Sequence, residues 1–157
     1  MTELATCSYA EFRPDMGTPV RISLGRPRFW SGTIAVGALV TEITPRGWYL
    51  RSPEPEYVKA YGEQLARHGP ECIQARFDAI AAEHGAPLVL LCFERLASGS
   101  WCHRSLFSAY WLGETGQVVP ELGVTQREAE EEERHRLVGL LAPLIPDHPN
   151  EEEGTQS

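Results

Sequence analysis

The chain has 157 residues, with 14 basic and 22 acidic side chains and a formal net charge of -8. At about 150 residues per domain, this length predicts one compact domain, which buries enough surface to fold without a disulfide or a metal. The 42% hydrophobic fraction excludes wholesale disorder. No apolar run reaches the roughly 18 residues of a membrane span, and the first residues lack signal-peptide features. We therefore expect a soluble cytoplasmic protein without a membrane partner.

Most of the excess negative charge lies near the C-terminus. Residues 126–157 hold nine of the 22 acidic residues and three of the 14 basic residues, so the rest of the chain is nearly balanced. The acidic net charge therefore describes an appendage and does not exclude anion binding by the body of the protein.

In chain order, the first predicted element is a half-buried strand over residues 20–24, where apolar and polar residues alternate. The mixed residues 1–18 indicate an extended entry segment, and residues 25–28 a turn. The apolar residues 33–43 fit a strand and a short helix equally well. Proline and glycine predict a loop over 44–55.

The middle of the chain has the clearest pattern. Apolar residues at helical spacing predict helices over 55–68 and 70–85, each ended by a glycine. The continuous apolar run over 87–93 is typical of a strand buried on both faces of a parallel sheet. A helix over 102–112 follows, with its own inward-facing apolar residues.

The C-terminal part predicts a short strand over 117–119, an acidic helix over 125–142 with a capping-box start, and a disordered acidic tail over 146–157. Alternating strands and helices predict an α/β fold, with an open, mostly parallel sheet flanked by helices. The single domain is expected to span 1–145, with its core in 8–122.

The residues with the clearest chemical potential lie between the apolar strand and the helix after it. Ligands of open α/β sheets bind beyond the carboxyl ends of strands, and a helix N-terminus attracts anions. There, Cys102 would be a nucleophilic thiolate, His103 a general acid or base and Arg104 an oxyanion clamp. Further candidates for ligand binding in this segment are Cys92, Glu94 and Trp101.

A second group of candidates follows the first predicted strand and consists of Arg21, Arg26 and Arg28. Arginines beside aromatic residues can hold a phosphate and stack a base. These residues predict a small anionic ligand, with nucleic acid as a possible partner, although the near-neutral body disfavours nonspecific nucleic-acid binding. The alternative is a turn with solvated arginine side chains.

The four cysteines are irregularly spaced, which predicts reduced thiols. The spacing Cys-x9-Cys-His from Cys92 to His103 is not a recognised zinc pattern, and no second cluster exists. The sequence therefore predicts no metal and no cofactor. Cys92 also fits a buried strand thiol, and Cys102 to Arg104 also fit structural packing and capping.

The segment Leu90 to Glu94 and the element Cys102-His103-Arg104 resemble the signature of the bacterial and phage proteins grouped as domain of unknown function family 488. The resemblance covers most of residues 8–122. It implies a small α/β domain with a shared pocket at these positions.

Taken together, these features predict a protein that binds, and can act on, a phosphate-bearing small molecule or nucleic-acid component. The alternative is a noncatalytic module that binds a ligand or a protein partner, with the acidic helix as an interaction surface.

Overall fold

A computed structural model of the chain describes residues 1–25, 27–28, 40–94 and 102–123. Over these residues the chain forms a small α/β domain with a three-stranded parallel sheet flanked by helices, which confirms the predicted fold class. The predicted acidic helix over 125–142 and the predicted tail over 146–157 lie outside the described residues.

The sheet has the strand order β1-β3-β2, with β1 at Leu4–Ser8, β2 at Thr18–Arg21 and β3 at Leu88–Cys92. Both neighbours of β3 run parallel to it. All five residues of β3 are buried, because this strand is paired on both sides and covered on both faces. Its position explains the continuous apolar run in the sequence.

Side chains of β3 alternate between the two faces of the sheet. Leu88 and Leu90 belong to the main hydrophobic core, which contains the buried side chains of the helices. Val89 and Leu91 pack in a smaller cluster on the other face of the sheet. By the same alternation, Cys92 points to the helical side of the sheet. The last residue of the central strand therefore carries its thiol towards a helix.

Three helices cover that side: α1 at Glu54–His68, α2 at Pro70–His84 and α3 at His103–Thr115. The turn glycines Gly69 and Gly85 end α1 and α2 at φ of +76° and +94°, a backbone region that glycine adopts without strain. Within the described residues, no helix has the length and apolarity needed to cross a bilayer.

The strands differ from the prediction in three places. β1 was not predicted, β2 begins two residues before the predicted strand over 20–24, and residues 117–119 form no strand. Proline interrupts a ladder least at a sheet edge, and Pro19 lies in the edge strand β2. The segment after α3 runs along β1 instead, where the Thr6 N–H donates to the Pro120 carbonyl and the Leu122 N–H to the Thr6 carbonyl.

Because all three strands are parallel, their carboxyl ends meet at one edge of the sheet. The residues that follow β2 and β3 lie there beside the first turn of α3. This edge is the place at which an open α/β sheet binds ligands.

Candidate functional site

Four reactive side chains converge at this edge, and we call them the four-residue cluster. Cys92 ends β3, Glu94 follows two residues later, Cys102 is the N-cap of α3 and His103 is its first residue. One sulfur, oxygen or nitrogen atom from each lies within 4.8 Å of the others. The structure thus brings together four residues that the sequence proposed as site candidates.

Three of the four donor atoms form a nearly regular triangle. The Sγ atoms of Cys92 and Cys102 are 3.4 Å apart, and Nδ1 of His103 is 3.6 Å from the first and 3.7 Å from the second. Oε2 of Glu94 lies closer, at 2.7 Å from Cys92 Sγ and 3.1 Å from Cys102 Sγ. The carboxylate therefore accepts hydrogen bonds from the thiols.

A backbone carbonyl fixes the orientation of the His103 ring. Nε2 lies 2.9 Å from the carbonyl oxygen of Ile22, the residue after β2. Since a carbonyl can only accept, Nε2 carries the proton, and Nδ1 presents its lone pair to the two sulfurs in the neutral ring. Metal-binding histidines are held in the same way by a hydrogen bond from their second nitrogen.

The two thiols of the cluster differ in acidity. The hydrogen bond between the two thiols lowers the pKa of Cys102, and the Arg104 guanidinium acts in the same direction. That same hydrogen bond, together with burial, raises the pKa of Cys92. Burial opposes ionisation of Glu94, but the hydrogen bonds from the two thiols outweigh it and lower its pKa. Cys102 is therefore the more acidic of the two thiols, and Glu94 favours its carboxylate form.

The cluster forms one wall of a cleft of about 370 Å³. The other lining residues are Ser23, Leu24, Gly25, Pro45, Leu50, Tyr57 and Phe93. Apolar side chains at the rim are partly exposed, with Leu24 at 54% and Phe93 at 47%. A cleft of this size and character suits a small molecule.

Arg104 lies behind the cluster and does not line the cleft. Its side chain is fully buried, and it donates to both carboxylate oxygens of Glu121, with Nη2 to Oε1 at 2.7 Å and Nε to Oε2 at 3.0 Å. The third nitrogen, Nη1, is 3.7 Å from Cys102 Sγ. Burial opposes the charge of Arg104, but the Glu121 carboxylate outweighs it and raises the pKa of the guanidinium. These contacts differ from the predicted oxyanion clamp, because they commit the guanidinium to Glu121 and Cys102.

The two described members of the predicted arginine group, Arg21 and Arg28, lie away from the cleft lining. Arg21 ends β2 and is half-buried, and Arg28 is exposed. Arg26 and Trp101 lie outside the described residues, so their predicted roles stay predictions.

Several residues of the site were not predicted from the sequence. Tyr57 of α1 and Ser23, two residues after β2, both line the cleft, although neither is a predicted site residue. The Ile22 carbonyl and Glu121 support His103 and Arg104 from distant parts of the chain. No local sequence signal indicates either contact, because both depend on tertiary packing.

Comparison with known proteins adds no relative. No protein-family model matches the chain, and no similar protein was found among curated proteins or solved structures. The resemblance to domain of unknown function family 488 stays a prediction.

Proposed function

We propose that this protein binds one zinc ion through the four-residue cluster, and that this metal site is its functional centre. The observation that supports the proposal most directly is the convergence of Cys92, Cys102 and His103 on one point, with the Nδ1 lone pair of His103 held towards the sulfurs by the Ile22 carbonyl. The sequence predicts no metal, because the spacing of these ligands along the chain matches no zinc motif and does not show how close they are in space.

The spacing of the donors fits zinc. Ligands at about 2.3 Å for sulfur and about 2.0–2.1 Å for nitrogen in a tetrahedron lie roughly 3.5–3.8 Å from one another. The triangle of Cys92, Cys102 and His103 has edges of 3.4, 3.6 and 3.7 Å. To serve as the fourth ligand, the Glu94 carboxylate must move away from the sulfurs so that the ion can enter between them. Two thiolates with an imidazole form a soft donor set that favours zinc over magnesium or calcium.

A zinc titration of the full chain tests the proposal. We expect one equivalent to bind, as measured by elemental analysis after gel filtration. At a free zinc concentration 100 times the Kd, binding stabilises the fold by up to about 2.7 kcal/mol, which corresponds to a rise in Tm of roughly 5–10 °C for a domain of this size. Cys72→Ser, which removes the exposed thiol of α2, is the matched control and should bind equally. A protein that retains no zinc and shows no rise in Tm would contradict the proposal.

A second candidate function is nucleophilic catalysis by the Cys102 thiolate, which its place at the N-terminus of α3 favours. Alkylation with iodoacetamide separates the two candidates. If Cys102 is a zinc ligand, zinc should protect Cys92 and Cys102 at least tenfold while Cys72 reacts at the same rate, as measured by mass spectrometry of the peptides. If Cys102 is a nucleophile, it should react faster than Cys72 with or without zinc.

The predicted phosphate-bearing ligand remains a third hypothesis. It was based on the arginine group and on Arg104, and Arg104 is paired with Glu121. Among the described residues that line the cleft, none is an arginine or a lysine. A phosphate-bearing ligand therefore has less support from the described site than a neutral one.

A further inference from the structure

In the zinc site proposed above, Glu94 differs from the other three ligands in its exposure and its spacing. We infer from this difference that the site is hydrolytic. On this basis Glu94 yields its place on the metal to a water molecule and then accepts a proton from it. The substrate would be a small, neutral, partly apolar molecule that carries a carbonyl or amidine carbon. This inference rests on the proposed zinc binding and adds the reaction and the substrate class.

The first line of support is geometric. The donors of Cys92, Cys102 and His103 already lie at distances that fit a metal, and these residues are only 1%, 2% and 7% exposed. The oxygen of Glu94 lies nearer the sulfurs than a shared tetrahedron allows, and Glu94 is exposed. Three ligands are thus buried at the end of β3 and the start of α3, whereas the fourth belongs to an exposed side chain.

The donor set supports the same conclusion. Catalytic zinc sites use three protein ligands and leave a fourth position for water, whereas structural sites are closed by four. Zinc deaminases activate water on a metal held by one histidine and two cysteines, with a separate glutamate as general acid and base. Here Glu94 lies within 3.1 Å of both sulfurs and therefore beside the position of such a water.

The cleft defines the class of substrate. Leu24, Leu50 and Phe93 give it apolar walls, whereas the Ser23 hydroxyl is already hydrogen-bonded to the Tyr9 hydroxyl and the Gly25 carbonyl. Its described lining contains one carboxylate, Glu94, and no lysine or arginine. Because two cysteine thiolates balance the charge of the zinc ion, the Glu94 carboxylate decides the local charge and repels an anion, so a neutral molecule fits better than an anionic one.

The reaction consists of a single substitution at carbon. The oxygen of the water forms a bond to the carbonyl or amidine carbon, and the bond from that carbon to the leaving oxygen or nitrogen breaks. One proton of the water passes to Glu94 and from there to the leaving group. No oxidant or reductant is needed, and the products together contain the atoms of substrate and water.

Cobalt-substituted full-length protein and the ester 4-nitrophenyl acetate provide the test. An open position predicts that azide changes the visible cobalt spectrum, and that the zinc protein releases many equivalents of 4-nitrophenolate per site. Glu94→Gln should keep the cobalt spectrum but lower the turnover rate about 100-fold, since general base catalysis contributes that much or more. The matched control is Glu83→Gln, which should leave the rate unchanged. Glu83 lies near the end of α2, which precedes the start of β3, whereas the cluster lies at the end of β3.

The outcomes separate this inference from the proposed function. A cobalt spectrum with thiolate bands that azide does not change, together with no turnover beyond one equivalent, would overturn the hydrolytic inference and leave the zinc site intact. Turnover that Glu94→Gln leaves unchanged would also overturn it. Absence of any cobalt or zinc binding would overturn both.

Discussion

Replacing Cys102 with serine is expected to weaken zinc binding by about 100- to 1,000-fold. A four-ligand zinc site in a small domain is worth about 10–16 kcal/mol, or roughly 2.5–4 kcal/mol for each ligand, and each 1.4 kcal/mol is about tenfold in affinity. Cys92→Ser should lose a similar amount of zinc affinity, because the two sulfur atoms occupy equivalent corners of the same triangle. Competition with a chromophoric chelator measures both affinities.

For the other variants of the cluster, the loss of zinc affinity should depend on how well the removed donor is placed for the metal. His103→Ala should lose about as much as the cysteine variants. Glu94→Gln should lose only about tenfold, because its oxygen is the one donor that is not at metal spacing. Cys72→Ser, on the exposed surface of α2, should bind as the unmodified protein does. Unchanged affinity in Cys102→Ser would show that the metal is held elsewhere.

Arg104→Ala is expected to lower the free energy of unfolding by about 3–5 kcal/mol. The substitution leaves the carboxylate of Glu121, whose side chain is only 12% exposed, without its bidentate partner. A buried charge that loses its partner keeps its desolvation cost and loses the compensating attraction. Urea denaturation followed by circular dichroism measures the change.

Two variants control for this effect. Arg13→Ala removes the partner of Asp15 from an ion pair whose side chains are 60% and 73% exposed, and it should change stability by less than about 0.5 kcal/mol. The double variant Arg104→Leu with Glu121→Leu removes both buried charges and should recover most of the loss. This double variant also serves if Arg104→Ala does not fold. A cost below about 1 kcal/mol in Arg104→Ala would contradict a stabilising role for the pair.

The elements with a strong local pattern were predictable from the sequence. The apolar run of β3 and the glycine-ended helices α1 and α2 match their predicted positions within two residues. β1 was not, because the sequence of Leu4–Ser8 mixes small polar and apolar residues and its burial depends on pairing with β3, more than 80 residues away. The two valines of residues 117–119 favour a strand, but the backbone there has no strand partner among the described residues.

The site was partly predictable for the same reason. Helix and strand boundaries place Cys92, Cys102 and His103 near one another, and the sequence pattern gave those boundaries. The direction of the His103 ring and the partner of Arg104 depend on the Ile22 carbonyl and on Glu121, which reach the site only in the folded chain. The sequence therefore indicated a reactive centre but not its metal-binding geometry.

The four-residue cluster also has a consequence for how the protein folds, because its donors all come from the 12 residues between Cys92 and His103. The entropic cost of closing so short a loop is small. The unfolded chain can therefore bind zinc weakly through the same residues. Zinc then stabilises the fold by less than it would if it bound only the native state. Refolding in the presence of zinc should then begin from a chain in which the end of β3 and the start of α3 are already joined, and it should be faster than refolding with a chelator.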